Sequence, residues 1–358
     1  MLRQFRPTWL EIHLKNIWKN YQIISERTNA VVVPVVKADA YGHGAFEVTR
    51  YLYERGVDFF AVSSLEEALE LRRIGTDFDI LIMGLIPKEG LIKAYEHNII
   101  VTIATDDDLQ AIRSMATPPR FHMKIDTGMN RLGFKAFDLV KQTIAELMNS
   151  KEYQLEGIYT HLATADSDYD YAHKQIQAFK HLLDSIEHPP KEIHISNSSA
   201  SLKWNEQTLF STLVRVGVSL YGETLEDDVD FLEQTMTLKA RITDIKTLKP
   251  GEKLGYDITY EATENTRIGI LQIGYADGFK RMNQGGYVSL NGQKREIVGR
   301  VCMDQLFIKI GENDKKNDIV VLLGDNIIKV DDIAKRLETI PHEVLTSFGK
   351  RVPRVYKI

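Results

Sequence analysis

Between Ala30 and Gly222 the chain repeats one theme: a short apolar run gives way to a polar turn and then to a helix-length segment. The runs are Val31 to Val36, Phe59 to Val62, Ile80 to Met83, Ile99 to Ile103, Phe121 to Ile125, Leu155 to Tyr159, Glu192 to Ile195 and Leu213 to Val218. Runs rich in Val and Ile with little alternation suit parallel strands covered on both faces. Eight βα units in succession predict a (β/α)8 barrel, with a doubly wound open sheet as the alternative. Segments such as Ser64 to Ile74 and Asp107 to Met115 space their apolar residues as helices do and start on Ser or Asp, which suits capping.

The pattern changes after Glu223. From there to Glu233 the chain is acidic and arrhythmic, and Thr237 to Ile310 then consists of short alternating runs broken by Pro-Gly, Gly-Gly and Asn-Gly. Thr243 to Leu248, Ile268 to Ile273, Tyr287 to Leu290 and Phe307 to Ile310 read as antiparallel strands, with Lys249-Pro250-Gly251 and Asn291-Gly292 as turns. The predicted organisation is a barrel over residues 10–228 and a mainly-β domain over 229–358, to which residues 1–9 add a strand.

A net charge of -5 gives no electrostatic reason to expect nucleic acid or an anionic membrane as partner, so a small molecule is expected. The single cysteine, Cys302, allows neither an intramolecular disulfide nor a cysteine cluster for zinc, and no metal site is expected. Glu11, His13 and Lys15 interrupt any apolar stretch that a signal peptide would need. A reducing cytoplasm fits the chain.

In a barrel of this kind the active site lies at the C-terminal ends of the strands. Lys37 ends the first run, Lys124 and Arg131 lie at the fifth, His161 follows the sixth, Asn197 and Ser198 follow the seventh, and Arg215 and Gly217 lie at the eighth. A lysine closing VVVPVVK either snorkels to solvent or, desolvated and with a lowered pKa, forms a Schiff base. Gly217 alone reads equally as a turn glycine, and His161 alone as a surface histidine.

The segments VKADAYGHG (Val36 to Gly44) and KIDTGMNRLG (Lys124 to Gly133) resemble the alanine racemase family of pyridoxal-phosphate (PLP) enzymes. The likeness continues through HLATAD from His161, Asn197-Ser198, RVGVSLYG from Arg215, GYADG from Gly274, GRVCMDQ from Gly299 and RVPR from Arg351, in family order. The resemblance implies that Lys37 carries PLP as a Schiff base and works on one face of the substrate α-carbon. Tyr256, from a partner subunit's β domain, would work on the other. Tyr41, Asn197, Ser198, Gly217 and Val218 would hold the cofactor, chiefly its phosphate. Arg215, supported by His161, would sit at the pyridine nitrogen and, as a guanidinium, donate without giving up a proton.

Arg131 and the Met303 amide would hold the substrate carboxylate, with Tyr275 and Tyr260 lining the approach, and Lys124 would be the family lysine that can be carbamylated to position Arg131. Asp304, beside Met303, would help hold the site or serve structure alone. Several relatives have a tyrosine before RVPR that reaches the phosphate, where this chain has Lys350.

The implied activity is interconversion of L- and D-alanine by a homodimer with composite sites, with D-alanine for peptidoglycan as the expected product. Three readings compete. A PLP decarboxylase would place an acid where Arg215 stands. A racemase of serine or other amino acids would differ only in pocket size. A non-catalytic PLP carrier would need only the barrel.

Overall fold

The computed structural model describes residues 5–204, 206–226 and 229–358. The first four positions of the expected N-terminal strand and the boundary at residue 228 lie outside these.

Eight parallel strands form the first layer: Val31–Pro34, Phe59–Val62, Asp79–Ile82, Val101–Ile103, Phe121–Lys124, Leu155–Tyr159, Glu192–His194 and Leu213–Val216. The barrel closes because Val31–Pro34 pairs in parallel with Leu213–Val216, the last strand with the first. Single bridges, Val35 to Ala61 and Leu81 to Ile100, join the Phe59–Asp79 strand pair to its neighbours on both sides. Closure leaves no open edge, which rules out the doubly wound alternative. Val32, Val33, Phe60, Ile80, Ile82 and Ile158 are buried between strands and helices, as two-sided coverage requires.

Several of the outer helices begin where side chains satisfy their first N–H groups. Leu65–Leu71 starts on a capping box in which Ser64 and Glu67 cap one another. The helix expected from Asp107 instead runs Asp106–Arg113, because Thr105 takes the cap and pairs reciprocally with Asp108.

The C-terminal part is built on Met236–Leu248, a strand of 13 residues that starts well before the expected Thr243. Thr8–His13 lies beside it antiparallel and runs parallel to Arg354–Lys357, so both ends of the chain enter this sheet. Thr266–Leu271 also pairs with the long strand and with Leu306–Lys309, curling the sheet back on itself. Asn291 and Gly292, both at positive φ (53° and 76°), make the two-residue turn that puts Leu290 opposite Gln293. Two helices, Val330–Arg336 and Pro341–Thr346, complete this domain, and the second packs on the segment after Lys37. No helix among the described residues is long and apolar enough to cross a membrane.

Candidate active site

At the C-terminal ends of the strands lies a cavity of about 470 Å³. Of the expected residues, Lys37, Lys124, Arg131, His161 and Arg215 border it, and so do Tyr41, Asn197, Ser198, Gly217 and Val218. Tyr256, Tyr260, Tyr275 and Met303 do not. Tyr256 and Met303 meet instead around a separate cavity with Cys302, Asp304 and Phe307. Lys350 is exposed and borders neither, facing a surface pocket with Asp39, Glu70 and Arg354.

Lys37 opens a tight left-handed turn. Ala38, Asp39, Ala40 and Tyr41 all have φ between 52° and 56°, a conformation that costs L-residues about 1–2 kcal/mol each. The surroundings enforce it. Glu67 accepts from the Ala38 N–H at 2.7 Å, and Asp39 accepts from the Ala45 N–H at 2.9 Å. His43 Nδ1 lies 3.0 Å from the carbonyls of both Ala40 and Tyr41, so it carries the proton, and full burial lowers the ring's pKa to about 3. Strain held this firmly marks a place where geometry matters more than local stability.

The turn swings Tyr41 back over the barrel mouth, stacked on Tyr221 at 4.9 Å. Its hydroxyl reaches so near Gly217 that a Cβ there would lie 2.4 Å from it. Ser198 Oγ accepts from the N–H groups of Gly217 (3.0 Å) and Ser219 (3.4 Å), which leaves its own proton free to donate into the cavity. The Gly217 N–H is therefore engaged by Ser198, and what Gly217 contributes is room.

The floor is an aligned polar layer. Arg215 is almost wholly buried and donates to the Thr160 carbonyl at 2.8 Å, the Ile195 carbonyl at 3.2 Å and His194 Nδ1 at 2.5 Å. His161 Nδ1 is farther, at 3.4 Å, so the expected support from His161 is secondary to that of His194.

Tautomers follow from Arg215 being only a donor. His194 must accept at Nδ1 and carry its proton on Nε2, which faces His122 Nδ1 at 2.9 Å. His122 Nε2 then points its proton toward Glu192, 2.8 Å away by a bent approach. Burial, then Arg215, hold His194 far below its usual pKa, so it stays neutral. Burial lowers Arg215 itself only to about 10, so it stays charged.

These floor residues carried a signal in the sequence. His122 and Lys124 alternate in FHMK, as do Glu192 and His194 in EIH, and alternate residues of a barrel strand face one side. Gly157 makes the space, since a Cβ there would lie 2.6 Å from the His122 ring.

The cavity is thus rich in cations, with Lys37, Lys124, Arg131 and Arg215 against Asp166. Burial, then Arg131, lower the pKa of Lys37. Burial, then Arg131 and Arg215, lower that of Lys124 to about 8. Such a site fits a ligand carrying two anionic groups and offers it a nucleophilic amine.

A closed barrel with a desolvated lysine, an anion cradle at its mouth and an appended β domain defines a class of barrel enzymes that work through lysine amine chemistry. The comparisons narrow the class. Residues 12–225 match the model of the alanine racemase N-terminal domain and residues 235–356 that of the alanine racemase C-terminal domain. The chain belongs to the alanine racemase family.

Among its relatives, the alanine racemase of Geobacillus kaustophilus is 39% identical, over 98% of this chain and 94% of that protein. That of Staphylococcus carnosus is 38% identical, over 99% and 95%. The crystal structure of alanine racemase from E. faecalis superposes with a TM-score of 0.94 at 35% identity, covering both chains fully. That of Bacillus anthracis alanine racemase with bound L-Ala-P gives 0.91 at 32%, covering 99% of this chain and 96% of that one.

Proposed function

We propose that the protein interconverts L- and D-alanine with PLP as cofactor, in the cytoplasm, as a homodimer whose two sites each draw on both subunits. The observation that carries this reading is the cavity's charge: four cations surround it, one of them a lysine amine made reactive by burial. Racemisation of an amino acid fits such a site, since it needs anchors for a phosphate and a carboxylate and a base beside the α-carbon.

PLP, when bound, supplies an electron sink that acidifies the α-hydrogen of the amino acid it holds. Its phosphate fits the mouth, where the Ser198 hydroxyl and Tyr41 donate and Gly217 and Val218 leave space. Asn197 caps the helix Ser198–Lys203 and so fixes Ser198. Gly217→Ala forces a clash with Tyr41, an overpacking of about 1–3 kcal/mol, and is expected to weaken PLP binding at least about tenfold in equilibrium dialysis.

Arg215, oriented by His194 and the Thr160 and Ile195 carbonyls, would hold the pyridine nitrogen as a donor, and as a guanidinium it would keep its own proton. Lys37 Nζ takes or returns a proton on one face of the α-carbon, and Tyr256 of the partner subunit does so on the other. Arg131 and the Met303 backbone amide hold the carboxylate, and Tyr260 and Tyr275 line the approach. The partner's role is supported by Tyr256 being 68% exposed and lining, with exposed Met303, a cavity that Lys37 does not border. The domain limits we propose are 10–228 and 229–358, the product's use peptidoglycan synthesis.

Lys124 fits carbamylation. With its pKa near 8, a fraction of its amine is neutral near pH 7, and that form adds to CO₂, releases a proton and becomes an anion near Arg131. Protein equilibrated with ¹³C-bicarbonate is expected to show a carbamate carbon signal that disappears in Lys124→Ala.

Borohydride reduction of the holoenzyme followed by peptide mass mapping tests the cofactor assignment. The reading expects the pyridoxyl mass on the peptide containing Lys37; finding it on another lysine contradicts it.

A further inference from the structure

Two backbone segments carry Met303, which holds the substrate carboxylate in the reading above, and Tyr275, which lines its approach, and they are laced together. The Tyr275 N–H donates to the Cys302 carbonyl and the Ala276 N–H to the Met303 carbonyl, each at 3.1 Å. They approach so closely at Gly274 that a Cβ there would lie 2.2 Å from the Cys302 oxygen.

The turn Gly274 to Gly278 is fixed in its place by Asp277, whose carboxylate has no exposure to solvent. Oδ2 accepts from the Gly274 N–H at 2.9 Å and from Arg6 Nη2 at 2.7 Å, while Arg351 Nε stands 3.4 Å from Oδ1. Arg6 Nη1 also donates to the Arg351 carbonyl at 3.1 Å, and Arg351 Nη2 holds Asp304, the neighbour of Met303, at 2.6 Å. Arginines from the two ends of the chain thus converge on one buried acid.

A buried carboxylate needs a close counter-charge. With Arg6 holding Oδ2, Arg351 spans Asp277 and Asp304. Without Arg6, Arg351 would be the nearest counter-charge left to the buried Asp277 and would be drawn toward it, which shifts the segments it ties together. We propose that Arg6 is a positioning residue for the substrate-carboxylate site, acting through Asp277 on Tyr275 and through Arg351 and Asp304 on Met303. This rests on the reading that Tyr275 and Met303 meet substrate. Arg6 itself touches none of the barrel cavity's lining, so PLP binding should not depend on it.

The test uses the holoenzyme with Arg6→Ala and Arg6→Lys. Arg6→Ala is expected to speed amide hydrogen exchange in 274–278 and 302–305, and to raise the KM for L-alanine and the Kd of propionate about tenfold, with kcat and PLP affinity within about twofold of the parent. Propionate serves as a carboxylate probe without an amine. Arg6→Lys, which restores the charge, should recover most of the loss.

Unchanged exchange in those segments, or an unchanged propionate Kd, would overturn the proposal. So would a parallel fall of PLP affinity and Tm, which would make Arg6 a stabiliser of the fold only. If the parent enzyme does not racemise alanine but exchange still accelerates in both segments, the functional reading fails and the clasp stands.

Discussion

Lys37→Ala is expected to abolish interconversion of alanine in both directions, by more than about 10⁴-fold, and to leave the fold intact. The magnitude exceeds the roughly 10²–10⁴ that a single general acid or base contributes, because the same side chain also anchors the cofactor. Lys124 borders the same cavity near Arg131 and Arg215, and the anionic carbamate proposed for it would leave no amine there to stand in for Lys37. Circular dichroism should be unchanged, since Lys37 lies beyond the end of its strand and removing its side chain leaves Val33, Val35 and Val36 packed as before. Steady-state rates from each enantiomer measure the effect; a residual rate within about a hundredfold of the parent would contradict the assigned role.

Tyr256→Phe is expected to act on one direction of proton traffic. Removal of the α-hydrogen from L-alanine should slow by about 10²–10⁴-fold, while D-alanine still exchanges its α-hydrogen with deuterated solvent through Lys37. Equal slowing from both enantiomers would refute the two-base assignment. Because Tyr256 is exposed and absent from the cavity of its own chain, its effect should cross between subunits. Mixing Lys37→Ala with Tyr256→Phe subunits, each inactive alone, should then restore about one quarter of the parent's site activity, since half the dimers are hybrids and each hybrid has one intact site. No recovery on mixing would place Tyr256 with Lys37 of the same chain.

The barrel was legible because each strand is covered on both faces, so its residues are apolar throughout and stand out against amphipathic helices. Two of the eight expected strands, Phe59–Val62 and Leu155–Tyr159, have the observed limits; five others end one or two residues before the apolar run does, and Val101–Ile103 begins two residues after it. The β domain was harder. Gln293–Val298 and Ile319–Leu323 were passed over, since Lys294 and Arg295 make the first look like a loop and the second lies beyond the last recognised turn.

The cavity residues were found because each lies at or after the C-terminal end of a strand. What stayed hidden was the layer below: Arg215 is oriented mainly by His194, two strands' worth of histidines stack behind it, and the sequence pairs neither with the other. His342 was missed for a different reason. It comes from the helix Pro341–Thr346 of the second domain and reaches the cavity beside Tyr41 only through the docking of two domains. The left-handed turn after Lys37 has no glycine until Gly42, so nothing local announces it.

Whether this protein racemises alanine through Lys37 is decided by chiral chromatography of the purified protein incubated with PLP and single L-amino acids, with Lys37→Ala alongside. D-alanine is expected to form well ahead of any other D-amino acid and to vanish in the variant. Amine products in place of D-alanine, or no conversion by a protein that binds PLP, would contradict this expectation.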